Sequence, residues 1–456
     1  MPTQKKTPLC ILLLILLLIL AACGGAGEPA EEAPAPEEAP VAEEEVLEEE
    51  EAMEEEEMEE EAAEDTLEEA LGDLEATGSE RDGGQLPPPG TIKVAEPRER
   101  TDDLDDNNGT NQPRAETASS EPLTAGEVDD NAAWTAYLSY LNSYTATDVL
   151  AVDVSQRRQI AVRDMAGDPI LDAQLTILAN NQIVTTLATH SDGTALFFPR
   201  AYPTQSASYT VRAVANGVIS SVPLANVGAT TITLSRGNTA PAQLDLVILL
   251  DATGSMGDEI AQLKANIDQI ASDVALLAAQ PDTRMALIAY RDEGDSAFVT
   301  RTLDFVSNVA DFTAFLDGIE ARGGGDYPEA LDVALAEAMQ GLSWRTTPTV
   351  QLAFVVADAP PHVEVTASNN YAFSMQQAAE QGIKIFPIAS SGLDAQGEYI
   401  FRQLAQFTNG RFLFLIDPPG QTDTTNSNNF AVNNFTITAL DDLIVDIIAD
   451  ELSHLP

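Results

Sequence analysis

Cysteine is almost missing from this chain. Cys10 and Cys23 are the only two in 456 residues, so nothing downstream has a thiol for a disulfide, a thiolate metal site or a nucleophile. Any folded part must hold together by burial alone. Basic residues are also scarce: 22 Lys and Arg stand against 74 Asp and Glu, for a net charge of −52. A nucleic-acid partner is therefore not expected, because a polyanion would be repelled and no basic patch appears. Histidine is limited to His190, His362 and His454, which leaves little for general acid–base chemistry. Long apolar runs are missing too, apart from "LCILLLILLLIL" at residues 9–20, which falls short of the roughly 20 residues of a membrane-spanning helix.

That run follows Lys5 and Lys6 and leads into small residues, the order of an export signal. The residues Leu20-Ala21-Ala22-Cys23 resemble the lipobox of bacterial lipoproteins. The resemblance implies cleavage before Cys23 and a lipid on its sulfur, hence an extracytoplasmic protein anchored to a bacterial membrane. Residues 24–80 contain no Lys or Arg, and the tract "EEEVLEEEEAMEEEEMEEEAAED" dominates them. Like-charge repulsion and few aromatics leave nothing to offset the entropy of ordering, so a disordered acidic stalk is expected over residues 23–131. Its contour reaches on the order of 350 Å at ~3.3 Å per residue.

The expected organisation continues with a short helical linker at 132–149, where Trp134, Tyr137, Leu138, Leu141 and Tyr144 recur at helical spacing and form a stripe suited to docking on the next domain. Residues 150–237 hold short runs rich in Val, Ile, Leu and Thr, divided by "MAGDP", "ANNQ", "SDG" and "ANG", which indicate a small all-β sandwich. The order "GDPILDAQLTIL", "THSDGTALFF", "SYTVRAVANG" resembles the carboxypeptidase-regulatory-like or transthyretin-like sandwich. It carries no evident catalytic residue and reads as a spacer or docking module. Over residues 243–453, apolar strands alternate with amphipathic helices. That alternation predicts an α/β fold with a doubly wound, mostly parallel sheet. The short "RDEGDSA" connection makes one edge strand antiparallel.

In open α/β sheets, ligands sit beyond the carboxyl ends of the strands. The strand "LDLVILL" ends at Asp251, and Thr253 and Ser255 follow at alternate positions. A second apolar strand, "LAFVV", leads to Asp358. If the two strands are neighbours, both aspartates overlook one crevice, and a hard cation needs such a convergence of oxygens. A competing role for the same loop is helix capping, with Ser255, Asp258 and Glu259 at the start of the next helix.

Asp251-Ala252-Thr253-Gly254-Ser255, with Asp358 further on, resembles the metal-ion-dependent adhesion site of von Willebrand factor type A domains, with Thr253 in place of the family's first serine. The resemblance implies Asp251, Thr253, Ser255 and Asp358 as metal-site residues, with Asp358 acting through water. Mg²⁺ suits such a six-coordinate oxygen site; Mn²⁺ would substitute and Ca²⁺ would need more ligands. One departure stands out: where the family has a threonine, "RGGGDYPEAL" places Gly325, followed by Asp326. Asp326 is a weaker ligand candidate, and Asp292 in the neighbouring hairpin is an outer-shell candidate. The implied function is binding or adhesion, in which a protein partner supplies an acidic residue to the metal.

Two further readings stay open. One is a structural envelope scaffold with a non-adhesive domain. The other is a metal-dependent hydrolase, which has little support: "GSMGDE" lacks the lysine of a phosphate-binding loop, and His362 lacks a paired nucleophile. The expectation is a binding protein, not an enzyme.

Overall fold

A computed structural model describes residues 123–237, 241–325, 327–363, 370–416, 430, 432 and 437–455. The expected signal, Cys23 and most of the expected stalk lie outside these residues. In chain order the elements begin with β1 (Thr124–Val128) and α1 (Trp134–Ser143). Seven strands follow: β2 (Arg158–Arg163), β3 (Gln174–Ala179), β4 (Gln182–Ala188), β5 (Thr194–Phe197), β6 (Thr210–Ala215), β7 (Val218–Pro223) and β8 (Ala229–Thr233). Next come β9 (Gln243–Asp251), α2 (Gly257–Leu276), β10 (Asp282–Tyr290), β11 (Thr300–Val306), α3 (Val309–Asp317) and α4 (Leu331–Gln340). The chain continues through β12 (Val350–Ala357), α5 (Tyr371–Gln381), β13 (Ile383–Ala389), α6 (Ala395–Phe407), β14 (Phe412–Ile416), β15 (Thr438–Ala439) and α7 (Leu440–Ser453).

The large sheet is ordered β11-β10-β9-β12-β13-β14-β1-β15. Strands β10, β9, β12, β13 and β14 are parallel, whereas β11 pairs antiparallel with β10 as the hairpin required. Strand β9 is buried along nearly its whole length because helices cover both faces, which explains its unbroken apolar run. Its side chains alternate between two cores. Val247 and Leu249 pack with α4, α5 and α6, while Leu246, Ile248 and Leu250 pack with α2, α3 and α7. From β9 the chain moves outward through β10 and β11, then returns to lay β12 on the other side of β9. The carboxyl ends of β9 and β12 therefore flank the topological switch, where a crevice opens.

Two expectations need correction. Residues 124–128, placed within the disordered stalk, form β1, which is inserted between β14 and β15 and pairs antiparallel with both. The backbone of β14 offers an open edge, and that edge, not a hydrophobic pattern in β1, orders the segment. Of the two expected roles of the sandwich, spacer or docking module, the first gives way to the second. Its sheets, β5-β2-β8 and β4-β3-β6-β7, enclose a core continuous with one face of the α/β domain. Phe198 stacks near Phe407 of α6 at 4.9 Å between ring centroids. Helix α1 covers the outer side of α6, where Arg402 bonds Asp130 at 2.6 and 2.9 Å and lies over the Tyr140 ring at 3.8 Å. That cover explains why α6 is buried on every side from Gly397 to Phe407.

Candidate metal-binding site

Asp251 closes β9 with no solvent exposure. Its Oδ1 accepts from the Thr253 amide at 2.8 Å and from Thr253 Oγ1 at 2.7 Å. Its Oδ2 is buried without a hydrogen-bond partner. Thr253 Oγ1 lies 3.4 Å from Ser255 Oγ, and Ser255 is near enough to the Asp358 carboxyl to oppose the rise that burial causes there. Strands β9 and β12 are in parallel register up to Leu250 and Val356, which sets both aspartates at one end of adjacent strands. The four motif residues thus lie together at the crevice.

The acidic half of the capping alternative is present, with Asp258 and Glu259 in the first turn of α2. Neither Thr253 nor Met256, at the starts of the short 3-10 turn and of α2, makes a side-chain cap bond. The Thr253 hydroxyl is turned toward the Asp251 carboxylate.

Burial pushes the Asp251 carboxyl up to about 7; the two Thr253 bonds oppose that rise, while Asp358 and Glu259 add to it. Asp358 is also raised, first by burial, with Ser255 opposing. Two neighbouring carboxylates, one with a bare buried oxygen, are costly as anions unless a positive charge or a proton joins them. Oxygens from carboxylates and hydroxyls, with no nitrogen or sulfur, form the donor set of a hard divalent cation. Among the described residues, no three His, Cys, Asp or Glu side chains already converge as a cage. The hydroxyls are thus essential to any direct ligand set.

The surrounding loops are tightly tied. Ala252 O accepts from the Arg322 amide at 3.0 Å and from Arg291 Nε at 3.2 Å, and the Gly254 amide donates to Gly323 O at 3.1 Å. Gly325 is exposed and offers no side chain, while Asp326 lies outside the described residues. Asp292 is buried and accepts from His362 Nε2 at 2.9 Å and from the Glu293 amide at 2.7 Å.

Three groups escaped the sequence reading. Tyr290 pairs in register with Asp251, and its buried hydroxyl has no partner. Burial holds that phenol well above its usual range, and Asp251, Asp358, Glu329 and Asp332 reinforce the effect. Glu329 is buried beside the glycine loop. Asp332, fully buried at the start of α4, has two unpartnered oxygens and a carboxyl pushed up to about 6 by burial, with His362 opposing. The signal for Tyr290 was its place at the end of the strand neighbouring Asp251. For Glu329 it was its presence in the same short loop sequence as Gly325.

Residues 245–415 match the family model described as von Willebrand factor A domain, a span that contains every described residue of this site. A putative ariadne-like RING finger protein of Acanthamoeba polyphaga mimivirus is 34% identical over 131 residues, covering 29% of this chain and 12% of that protein. An alpha-protein kinase of Dictyostelium discoideum is 26% identical over 192 residues, covering 42% of this chain and 30% of the kinase. The chain thus spans less than a third of either curated relative. A solved von Willebrand factor type A structure from Catenulispora acidiphila is similar at 14% identity with a TM-score of 0.33, covering 63% of this chain and 51% of that one.

Proposed function

We propose, from the premise that this chain carries a von Willebrand factor A domain over residues 245–415, that it binds a protein partner in a divalent-cation-dependent way. Asp251, Thr253 and Ser255 would hold Mg²⁺ or Mn²⁺, with Asp358 assisting through water. When bound there, the cation supplies a coordination position for an aspartate or glutamate of the partner. The chain's own residues prepare that position. Thr253 fixes the Asp251 carboxylate through two bonds, and Ser255 stands beside Asp358. The reading is of a binding protein, not a catalyst. The export signal and Cys23 support its presentation as a membrane-anchored bacterial lipoprotein, outside the cytoplasm, on an acidic tether.

The single observation that carries this reading is the buried Asp251 Oδ2 with no partner. Titrating Mg²⁺ into the purified chain by calorimetry tests it. We expect saturable binding and a rise in melting temperature, both lost on Asp251→Ala and on chelation. Absence of binding in the unsubstituted chain would leave a structural scaffold, the second reading, which the missing hydroxyl at Gly325 favours.

A further inference from the structure

We propose that Glu329 is the third acidic group of the metal site, taking the place that the glycine loop leaves without a hydroxyl. The proposal rests on the metal-binding reading above and adds a residue to it. Gly324 has a φ of +72°, and a Cβ built on it would stand 2.7 Å from Glu329 Oε1, 3.1 Å from Thr253 Cβ and 3.2 Å from Thr253 Cγ2. The Glu329 carboxylate and the Thr253 side chain therefore close on the same glycine from outside the loop. Any side chain at 324 would separate them, so glycine here admits a carboxylate to the site.

The backbone of Glu329 is anchored to the other half of the crevice. Its amide donates to Pro360 O at 3.1 Å, and it pairs with Pro361 in the loop that carries Asp358. The following residue, Ala330, donates to Arg291 O at 3.0 Å. Glu329 thus stands between the Thr253 loop and the Asp358 loop, 5% exposed, on a fixed backbone. Tyr290, at the end of β10, pairs in register with Asp251 at the same end of the sheet.

Since no three acidic side chains converge directly among the described residues, Glu329 acts one water away, orienting ligands and adding negative charge. Three carboxylates around a dication neutralise more of its charge than two. The site then retains its cation more tightly and pulls less strongly on a partner's carboxylate than a site completed by threonine.

The test uses Mg²⁺ alone as the probe, with calorimetry on the full chain and three variants, each checked for folding by melting in chelator. Glu329→Gln should weaken Mg²⁺ binding by roughly 10- to 100-fold, the usual effect of removing an outer-shell group. Gly325→Thr in that background should recover much of the loss. A Cβ at Gly325 meets nothing within 4 Å, so the added hydroxyl is accommodated. If Glu329→Gln does not fold, Glu329→Asp, which keeps the charge on a shorter arm, should still bind more weakly than the parent. Binding by Glu329→Gln within twofold of the parent, or by Glu329→Asp if that variant is the one that folds, overturns the role of Glu329 and leaves the metal site standing. No binding by the unsubstituted chain overturns both.

Discussion

Asp251 shows how much chemistry one residue can announce. Its position after five apolar residues, followed by hydroxyls at Thr253 and Ser255, was legible because strand ends and tight loops leave local traces. Tyr290, Glu329 and Asp332 were harder to read, since one ends a strand, one lies in a loop and one starts a helix, and none belongs to the motif. The buried Asp251 carboxyl also gives a pH prediction. Its folded value of about 7 lies above the ~3.9 of an unfolded aspartate, so the folded chain holds the proton more tightly. The stabilisation from this group is full below the unfolded value and is lost as pH rises through about 7. The metal-free chain should therefore lose stability between pH 5.5 and 8 from this source, and Asp251→Asn should shrink that loss. Melting in chelator at the two pH values checks both. Mg²⁺ competes with the same proton, so its apparent affinity should fall as the solution is made more acidic than about 7.

At the scale of elements, periodicity served the helices and the buried parallel strands well. Among the described residues of the α/β domain, helices alternate with strands as the amphipathic spacing predicted, and β9 and β12 lie side by side. Strand β1 escaped because "TAGEV" has a glycine and little apolar content; its conformation comes from backbone pairing with partners almost 300 residues away. Its removal should be felt at several points. Ala125 is fully buried, Thr124 Oγ1 donates to Ile416 O at 2.9 Å, and the Leu440 amide at the start of α7 donates to Leu123 O at 2.9 Å. A fragment beginning at residue 129, which keeps α1 and the sandwich, leaves the β14 edge bare and loses these bonds. Compared with one beginning at 123, it should melt lower by about 10 °C or more, as several kcal/mol would produce in a domain of this size, and it should aggregate through the open edge. Scanning calorimetry and light scattering on the two fragments decide it; equal melting temperatures would show β1 to be an accessory.

Across the whole molecule, the sandwich and the α/β domain behave as one body because polar groups are locked at their junction. Lys384 of β13 donates to Glu451 of α7 at 2.7 Å, and Ser191, from the turn before β5, donates to the same carboxylate. His190 next to it contacts Gly382 O at 3.1 Å, and burial, reinforced by Lys384, holds its imidazole down at about 4. The sequence offered no hint of this lock, since its members lie in three separate segments and none belongs to a motif. The side chains of Lys384 and Glu451 are each only 6% exposed, so breaking the pair strands a charge away from water. Lys384→Met should therefore cost about 3–5 kcal/mol in chemical denaturation, the usual penalty for removing one partner of a buried pair. Adding Glu451→Leu to Lys384→Met should restore much of the loss, because two apolar groups no longer need each other's charge. The C-terminal helix bears Ile447, Ile448 and Leu452 into the core on one side of the sheet, while Glu451 reaches the sandwich. A loosened junction should thus appear as faster amide exchange in α7 of Lys384→Met than in the parent. Unchanged protection there, together with unchanged stability, would mean that the shared apolar core around Phe198 and Phe407 joins the two parts without help from the ion pair.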